Sequence, residues 1–237
     1  MQSYRMAELR GMADRLGISR FVEQGGNKTP REMSRESLVT ALSRAMLNVV
    51  GFRRLGRLGS SVRLVTDYRG HRYALKAFPH SNSRVEIRKE YSFLLRAYKV
   101  GAAPKPVQMD CENGFIVMEL MDCTLAEQIA RQKGRLFGYQ QKRILSIYKA
   151  LDDTGIYHND GNLANYMVKD RKIFLLDYGL SKDITPQLVR KLGTNRPNST
   201  LALLRLVTKL HSHVKDEASL KHLVKALRSD AQRRLEM

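Results

Sequence analysis

Residues 155–182 read GIYHNDGNLANYMVKDRKIFLLDYGLSK, and this stretch carries the chemistry that decides the fold of the chain. Polar side chains fall at set intervals within it: His158 and Asp160, then Asn165 five residues after Asp160, then Asp177. A carboxylate can take a proton from a hydroxyl, and an amide oxygen together with a second carboxylate can hold Mg²⁺. Asp and Asn in loops are more often cap or turn residues, but their order and their apolar flanks here favour a functional site.

Two short apolar runs frame the second half of this stretch. Residues 166–168 and 173–176 are predicted to be β-strands, and residues 169–172, KDRK, are predicted to be the turn between them. Such a hairpin would bring Asn165, at its start, close to Asp177, just after its end.

The order of these groups resembles the catalytic loop and metal-binding triplet of protein kinases, which read H-R-D-x-x-x-x-N and D-F-G. Upstream, Arg72–Lys76 (RYALK) resembles the kinase strand V-A-I-K, whose lysine pairs the nucleotide phosphates. Taken alone, Lys76 would be interpreted as a solvated lysine at a strand end. A helix is predicted over Arg84–Lys99, because apolar residues recur there at helical spacing. Glu90 on this helix is the candidate partner of Lys76, with Glu86 as the alternative.

Residues 114–120, GFIVMEL, are predicted to be an apolar strand that leads into a polar segment at Met121. The resemblance to kinases implies that this segment is the strand and hinge beneath the adenine ring. Met118 would be the side chain at the back of the pocket, and Glu119 and Met121 would lie in the hinge, which offers backbone N–H and C=O groups. Without its neighbours, the segment would be interpreted as an ordinary buried strand.

Together these segments resemble the protein-kinase-like superfamily from about Leu55 to Lys182. The resemblance implies an α+β, two-lobed kinase-like fold that holds ATP between its lobes. It implies that Asp160 is the catalytic base, in one loop with His158, and that Asn165 and Asp177 bind Mg²⁺.

The glycine-rich loop departs from the kinase pattern G-x-G-x-x-G-x-V. Residues 55–62 read LGRLGSSV, so Gly56 and Gly59 stand at altered spacing before Val62. The resemblance places these three residues against ATP. With the altered spacing, we expect the backbone N–H groups of this loop to contact the phosphates less closely. Asn162 stands where Ser/Thr kinases often have Lys, so a positive charge near the transferred phosphate is missing.

The segment after Gly179 is shorter than the helical lobe of a eukaryotic protein kinase. It has 58 residues and no A-P-E segment. We expect a loop over residues 186–199, followed by two helices, over 201–211 and 218–227. A shortened C-lobe resembles compact atypical kinases of the RIO and Bud32 kind and the small kinase-like proteins of large DNA viruses, and the tyrosine of the D-Y-G triplet also suits the viral proteins.

The N-terminal residues 1–50 are predicted to be a separate helical appendage. Residues 6–16, MAELRGMADRL, carry apolar side chains on one helical face, and residues 34–48 are predicted to form a second helix. The segment resembles SAP-like helix–extended–helix modules, which commonly bind nucleic acid; a helical cap on the N-lobe is the alternative. The candidate phosphate contacts are Arg10, Arg15, Arg20 and Lys28.

Positive charge is concentrated at the two ends of the chain. The net charge of the 237 residues is +19. Residues 1–60 carry 11 basic and 5 acidic side chains, and residues 187–237 carry 11 and 4. This distribution favours a polyanionic partner, such as non-specifically bound DNA or RNA, over a role in solubility alone.

The composition also indicates the cellular compartment of the protein and its domain organisation. No apolar run approaches the ~20 residues that span a bilayer, and the N-terminus lacks the apolar core of a signal peptide. Cys111 and Cys123 form no metal or disulfide pattern, so we expect an intracellular, reducing compartment: cytoplasm or nucleus, or a virion if the protein is viral. The expected domains are residues 1–50 and a kinase-like domain over 51–237, with an N-lobe over about 51–120 and a C-lobe over about 121–237.

Three functions remain open at this point. The first is an ATP- and Mg²⁺-dependent Ser/Thr protein kinase, which the intact lysine, catalytic loop and metal-binding triplet favour. The second is a catalytically weak or inactive kinase-fold scaffold that binds nucleic acid or another acidic partner through its basic ends, which the altered glycine loop, Asn162 and the short C-lobe favour. The third is a small-molecule kinase, because a short C-lobe offers little platform for a protein substrate.

Overall fold

A computed structural model describes residues 5–7, 10, 21–22, 31–32, 34, 62–66, 71–78, 84–111 and 114–235. Gly56, Gly59, Arg15, Arg20 and Lys28 of the predicted sites lie outside the described residues, as do most residues of the predicted N-terminal helices. Residues 6, 7 and 10 are helical. Two short strands, β1 (Phe21–Val22) and β2 (Arg31–Glu32), pair antiparallel.

The contacts divide the chain into two compact units. The first comprises Met1–Ile87 and Val107–Leu120, and the second comprises Arg88–Pro106 and Met121–Met237. Strands dominate the described part of the first unit, and helices dominate the second, so the mixed α+β class expected from the sequence is confirmed.

The first unit is built on one four-stranded sheet. Its strands are β3 (Val62–Thr66), β4 (Arg72–Ala77), β5 (Pro106–Asp110) and β6 (Phe115–Glu119), in the order β3-β4-β6-β5. The pairs β3–β4 and β4–β6 are antiparallel. Val65, Phe115 and Val117 form a buried cluster, against which Tyr73 and Leu75 pack. The predicted V-A-I-K-like strand is therefore a central strand of this sheet.

The helix α1 (Arg84–Lys99) has the predicted bounds. Its buried apolar side chains, Ile87, Phe93, Leu94 and Ala97, lie on one face of the helix, and the buried carboxylate of Glu90 lies on the same face. Gly101, two residues after the end of the helix, has a φ of 72°, which is the left-handed conformation that glycine adopts most readily. The N–H of Ala102 donates to the carbonyl of Ala97 over 2.9 Å, as in a Schellman cap.

Two helices that the sequence analysis did not predict begin the main segment of the second unit. After the short strand β7 (Cys123–Thr124), α2 (Leu125–Arg131) begins with a capping box, in which Thr124 accepts from the N–H of Glu127 and Glu127 accepts from the N–H of Thr124. The longer α3 (Gly138–Asp153) buries one face, on Ile144, Ile147, Tyr148 and Leu151.

The predicted hairpin is present. Strands β9 (Tyr166–Lys169) and β10 (Lys172–Leu175) pair antiparallel, and Asp170 and Arg171 form the two-residue turn with φ of 47° and 64°. Two left-handed residues are the signature of a type I′ turn, whose twist matches that of the strands. β7 pairs with β9 on the other side. Before the hairpin lies β8 (Ile156–Tyr157), which pairs with β11 (Lys182–Asp183) after it.

The predicted loop over residues 186–199 is wrong in its first half, because α4 (Pro186–Leu192) is a helix. Thr185 caps its N-terminus, Pro186 occupies the first turn, and Gly193 ends it with a φ of 66°. Proline at the start and glycine just past the end are helix-boundary residues, so the signal was present in the sequence.

The C-terminal helices pack against the loop between β8 and β9 and against α3. They are a π-helical turn (Asn198–Ala202), α5 (Leu203–Leu210), a 3-10 turn (Glu217–Leu220) and α6 (Lys221–Leu235). The π-helical turn packs against α3, and α5 packs against α6 and against the 3-10 turn Leu163–Asn165 that precedes β9. In the part of the chain that the structure describes, no helix has the length and apolar character needed to cross a membrane.

Candidate active site

The loop between β8 and β9 brings two predicted site residues, Asp160 and Asn165, into direct contact. Oδ1 of Asp160 accepts from the N–H of Asn162 over 3.0 Å, and its Oδ2 accepts from Nδ2 of Asn165 over 2.8 Å. Asn162 also caps the following 3-10 turn, because its Oδ1 accepts from the N–H of Ala164 over 3.2 Å. Two directed hydrogen bonds therefore fix the orientation of the half-buried carboxylate.

Asn165 is oriented by the same bonds. Its amide nitrogen is committed to Asp160, so its Oδ1 points away from that carboxylate, and no other described residue donates to this oxygen. Its backbone carbonyl accepts from the N–H of Leu176 over 2.9 Å, which closes the base of the hairpin. The backbone of Asn165 is thereby joined to Leu176, the residue before Asp177, at the two ends of the predicted hairpin.

The triplet Asp177-Tyr178-Gly179 lies directly against α1. Asp177 is exposed and left-handed, with φ of 64° and ψ of 70°. A Cβ placed on Gly179 would lie 3.2 Å from Oε2 of Glu90 and 3.5 Å from Oδ1 of Asp177. Glu90 is buried, whereas Glu86 is exposed, so the geometry favours Glu90 over Glu86 as the α1 glutamate of the site. A side chain at position 179 would crowd the carboxylate of Glu90 and would touch that of Asp177 at an ordinary contact distance.

His158 is buried, and both of its ring nitrogens contact backbone carbonyls. Its Nδ1 lies 2.9 Å from the carbonyl of Asp160, and its Nε2 lies 2.9 Å from the carbonyl of Leu176. Burial lowers the pKa of the imidazole, and the two carbonyl contacts oppose that shift. His158 thus joins the catalytic loop to the strand end before Asp177, which is a positioning role; it does not line an open surface.

Tyr178 fills the core under the triplet. It is fully buried, and its ring meets His158 edge-on, with centroids 4.8 Å apart and planes at 79°. Burial raises the pKa of its phenol well above the ordinary value, and its hydroxyl has no hydrogen-bond partner among the described residues. A buried hydroxyl without a partner is costly, so we expect a phenylalanine at this position to be more stable.

A buried polar network that the sequence analysis missed supports the loop from below. The carboxylate of Asp152, at the end of α3, accepts four hydrogen bonds from the backbone and side chains of Asn198 and Ser199. Asn198 in turn donates to the carbonyl of Ile156 over 2.6 Å and accepts from the N–H of His158 over 2.9 Å. Burial raises the pKa of Asp152, and its four donors act in the opposite direction.

The remaining predicted residues lie mainly in the first unit. Lys76 on β4 is opposite Val62 on β3, and Ala74, two residues earlier, is opposite Met118 on β6. Because side chains alternate along strands and opposite residues share a face, Val62, Lys76 and Met118 lie on one face of the sheet. Nζ of Lys76 lies 5.2 Å from the ring centroid of Phe78. Met118 is buried on this face.

The structure also describes two residues predicted to lie in the hinge, Glu119 and Met121, and one predicted phosphate contact, Arg10. Glu119 is half-buried at the end of β6, opposite Tyr73. Met121, which belongs to the second unit, is buried. Arg10 is half-buried in the N-terminal helical residues.

Comparison with known protein families gives one match. The model of the RIO domain family matches residues 60–192, which is more than half of the chain. The match includes β3, β4, α1, the catalytic loop and the D-Y-G triplet, and it ends with α4. No curated protein matches this chain.

Proposed function

The chain belongs to the RIO domain family of atypical kinase-like phosphotransferases, and on this premise we propose that it is an ATP- and Mg²⁺-dependent protein kinase that phosphorylates serine or threonine hydroxyls. The observation that carries the proposal is the fixed carboxylate of Asp160. It is held by the N–H of Asn162 and the amide of Asn165, in a loop that His158 ties to the strand end before Asp177.

This arrangement suits proton transfer from an acceptor hydroxyl. In the proposed reaction, the hydroxyl oxygen forms a bond to the γ-phosphorus of ATP, and the bond from that phosphorus to the β,γ-bridging oxygen breaks, leaving its electron pair on ADP. The hydroxyl proton passes to Asp160. Asp160 keeps its orientation because both of its oxygens accept a hydrogen bond from the loop itself.

The oxygen donors near Asp160 suit a divalent metal. The Oδ1 of Asn165, turned away from Asp160, and the carboxylate of Asp177 are the hard oxygen ligands that Mg²⁺ prefers. Within the described residues, no group of three or more His, Cys, Asp and Glu side chains forms a self-contained metal site. Mg²⁺ usually binds through one or two protein oxygens and the phosphates of its nucleotide, and a bound Mg²⁺ would neutralise phosphate charge here.

The nucleotide residues are assigned from the resemblance in sequence. That resemblance gives the phosphates to Lys76 and names Glu90 as the partner of the lysine. The shared face of Val62 and Met118 suits adenine, and the backbone from Glu119 to Met121 would offer the hinge hydrogen bonds. Gly56 and Gly59 remain assigned to the phosphate loop from their sequence alone.

Matched carboxylate variants test the proposal. Asp160→Asn keeps the shape and removes the base, and should lower kcat by about 10²–10⁴-fold while leaving ATP binding in place. Asp177→Ala should remove the Mg²⁺ dependence of ATP binding, measured by thermal shift. Asp170→Asn, in the hairpin turn, removes an exposed carboxylate away from the site and should match the wild type. Equal turnover in wild type and Asp160→Asn would refute the assignment of the base.

A second candidate function is supported by exposed cations of the C-terminal helix. Lys221, Lys225 and Arg228 are exposed on α6 at intervals of four and three residues, so they form one stripe. We propose that this stripe, with the basic N-terminal candidates, binds DNA or RNA through phosphates. Affinity for a random duplex should fall steeply with salt, because each neutralised phosphate releases counterions.

A charge-reversal variant separates this function from catalysis. Lys221→Glu combined with Lys225→Glu and Arg228→Glu should weaken duplex binding and leave ATP turnover unchanged. Unaltered duplex affinity in this variant would move the proposed contact to Arg10, Arg15, Arg20 and Lys28. An absence of binding by the wild type at low salt would eliminate nucleic acid as a partner.

A further inference from the structure

The catalytic loop touches one arginine that its own sequence does not contain. Gly161, which follows Asp160, is buried under α5. A Cβ placed on Gly161 would lie 2.8 Å from Cβ of Arg205, 3.5 Å from Cδ of Arg205 and 3.3 Å from the carbonyl of Ala202. The aliphatic stem of Arg205 therefore runs across the backbone next to Asp160, and only glycine leaves room for it there.

The guanidinium at the end of this stem is available to a ligand. Arg205 is exposed, and no described residue forms an ion pair, hydrogen bond or ring contact with its side chain. Arg96 and Arg143 of the same unit are engaged instead, because Arg96 pairs with Asp183 at 2.6 Å and Arg143 donates to the carbonyl of Ile173 over 3.1 Å. Nε of this guanidinium is bonded directly to the Cδ that lies against Gly161, so the group lies next to the loop that contains Asp160.

The loop that contains Asp160 has no basic side chain of its own. Between His158 and Lys169 there is no Lys or Arg. Asn162, which stands where Ser/Thr kinases often have Lys, is neutral, and its side-chain oxygen is used to cap the 3-10 turn. Phosphoryl transfer spreads negative charge over the equatorial oxygens of the γ-phosphate, and this charge needs positive groups nearby.

We propose that Arg205, from a helix outside the matched residues 60–192, supplies the positive charge that binds the γ-phosphoryl group during transfer. This inference rests on the proposed function. The guanidinium donates in a planar fork that matches two oxygens of a phosphoryl group, and its stem is held against Gly161, the residue that follows the proposed base. The bonds that form and break are those of the reaction above, and Arg205 donates hydrogen bonds without exchanging a proton.

The test separates the charge of Arg205 from its packing. Arg205→Met keeps an unbranched stem over Gly161 and removes the guanidinium, whereas Arg205→Lys keeps a positive charge. Lys209→Met, one helical turn further along α5, removes another exposed charge and is the matched control. For each variant, two rates are measured with Mg²⁺. One is the rate of ATP hydrolysis, in which water is the acceptor, and the other is the rate of phosphoryl transfer to dephosphorylated casein. ATP affinity is measured by calorimetry.

A contact with the γ-phosphoryl group predicts the same loss in both reactions. Arginines that stabilise this charge contribute about 10³–10⁵-fold in buried sites, and an exposed one should contribute less, on the order of 10–100-fold in kcat. Arg205→Met should show this loss for hydrolysis and for casein, with ATP affinity within about threefold of wild type. Arg205→Lys should recover part of the rate, and Lys209→Met should match the wild type.

Three results would overturn the inference. Unchanged kcat in Arg205→Met would make Arg205 a surface residue without a role. A loss confined to casein would make it a contact for an acidic acceptor, and a loss of ATP affinity equal to the loss of rate would make it a ground-state nucleotide contact. The wild type is measured before any variant. If it neither hydrolyses ATP nor transfers phosphate to casein, the proposed function itself fails. Should Arg205→Met fail to fold, Arg205→Gln gives the same comparison.

Discussion

Replacing Asp152 by asparagine tests how α3 supports the catalytic loop. Oδ1 of Asp152 accepts from the N–H and Nδ2 of Asn198 at 3.0 and 2.7 Å, and Oδ2 accepts from the N–H and Oγ of Ser199 at 2.9 and 2.6 Å. Asparagine has the same shape but one acceptor oxygen, so its NH₂ group would face two donors. Hydrogen bonds to a charged group contribute about 1.5–3 kcal/mol each. Losing two, partly offset because a neutral amide is easier to bury, should lower the free energy of unfolding by about 2–4 kcal/mol.

The loss should also reach the active site, because Asn198 accepts from the N–H of His158. Urea unfolding gives the change in stability, and ATP turnover at a temperature where the variant is folded gives the change in kcat. Asp153→Asn is the control: Asp153 is the neighbouring, exposed carboxylate, paired with Lys149 and Arg196 at the surface. If Asp152→Asn unfolds at the same urea concentration as Asp153→Asn, the network does not carry the stability assigned to it.

Three further predictions concern the triplet and the loop. Gly179→Ala should lower kcat with little loss of stability, because its Cβ would crowd Oε2 of Glu90 at 3.2 Å; unchanged steady-state kinetics would remove Glu90 from the site. Tyr178→Phe should raise the thermal midpoint, because leaving a buried hydroxyl unpaired costs about 1–3 kcal/mol; a lower midpoint would show that the hydroxyl has a partner. Since burial lowers the pKa of His158, the unfolded chain binds the proton more readily, and stability should fall as pH drops below about 6.5. His158→Gln should flatten that fall in pH-dependent unfolding, and parallel curves for the two proteins would contradict the interpretation.

Local patterns in the sequence were sufficient for the elements that present the site. The apolar spacing of α1 gave its bounds, Arg84–Lys99, because helix periodicity and end charges act within a few residues. The hairpin from Tyr166 to Leu175 was predictable for the same reason, since apolar strands and a polar turn specify each other locally. Asp160 and Asn165, five positions apart, form their hydrogen bond within this local frame.

Support from distant parts of the chain could not be predicted in this way. Asp152 and Asn198 are 46 positions apart, and neither stands in a pattern that points to the other. Gly161 and Arg205 meet only because α5 folds back over the catalytic loop. The helix α4 is a different case: Thr185, Pro186 and Gly193 mark its ends, and its seven residues are too few for a clear apolar face.

The way the π-helical turn and α5 close over the catalytic loop bears on how a minimal enzyme can be cut from this chain. A fragment ending at residue 192, where the family match stops, would lack Asn198 and with it the acceptor for the N–H of His158. It would also lack Leu203, Leu206, Val207 and Leu210, which are buried along α5, and so would open apolar surface beside the proposed catalytic base. Truncation between residues 192 and 198 should therefore yield an insoluble or inactive product, whereas a short insertion in the Asp170–Arg171 turn, which keeps the segments on both sides in one chain, should be tolerated.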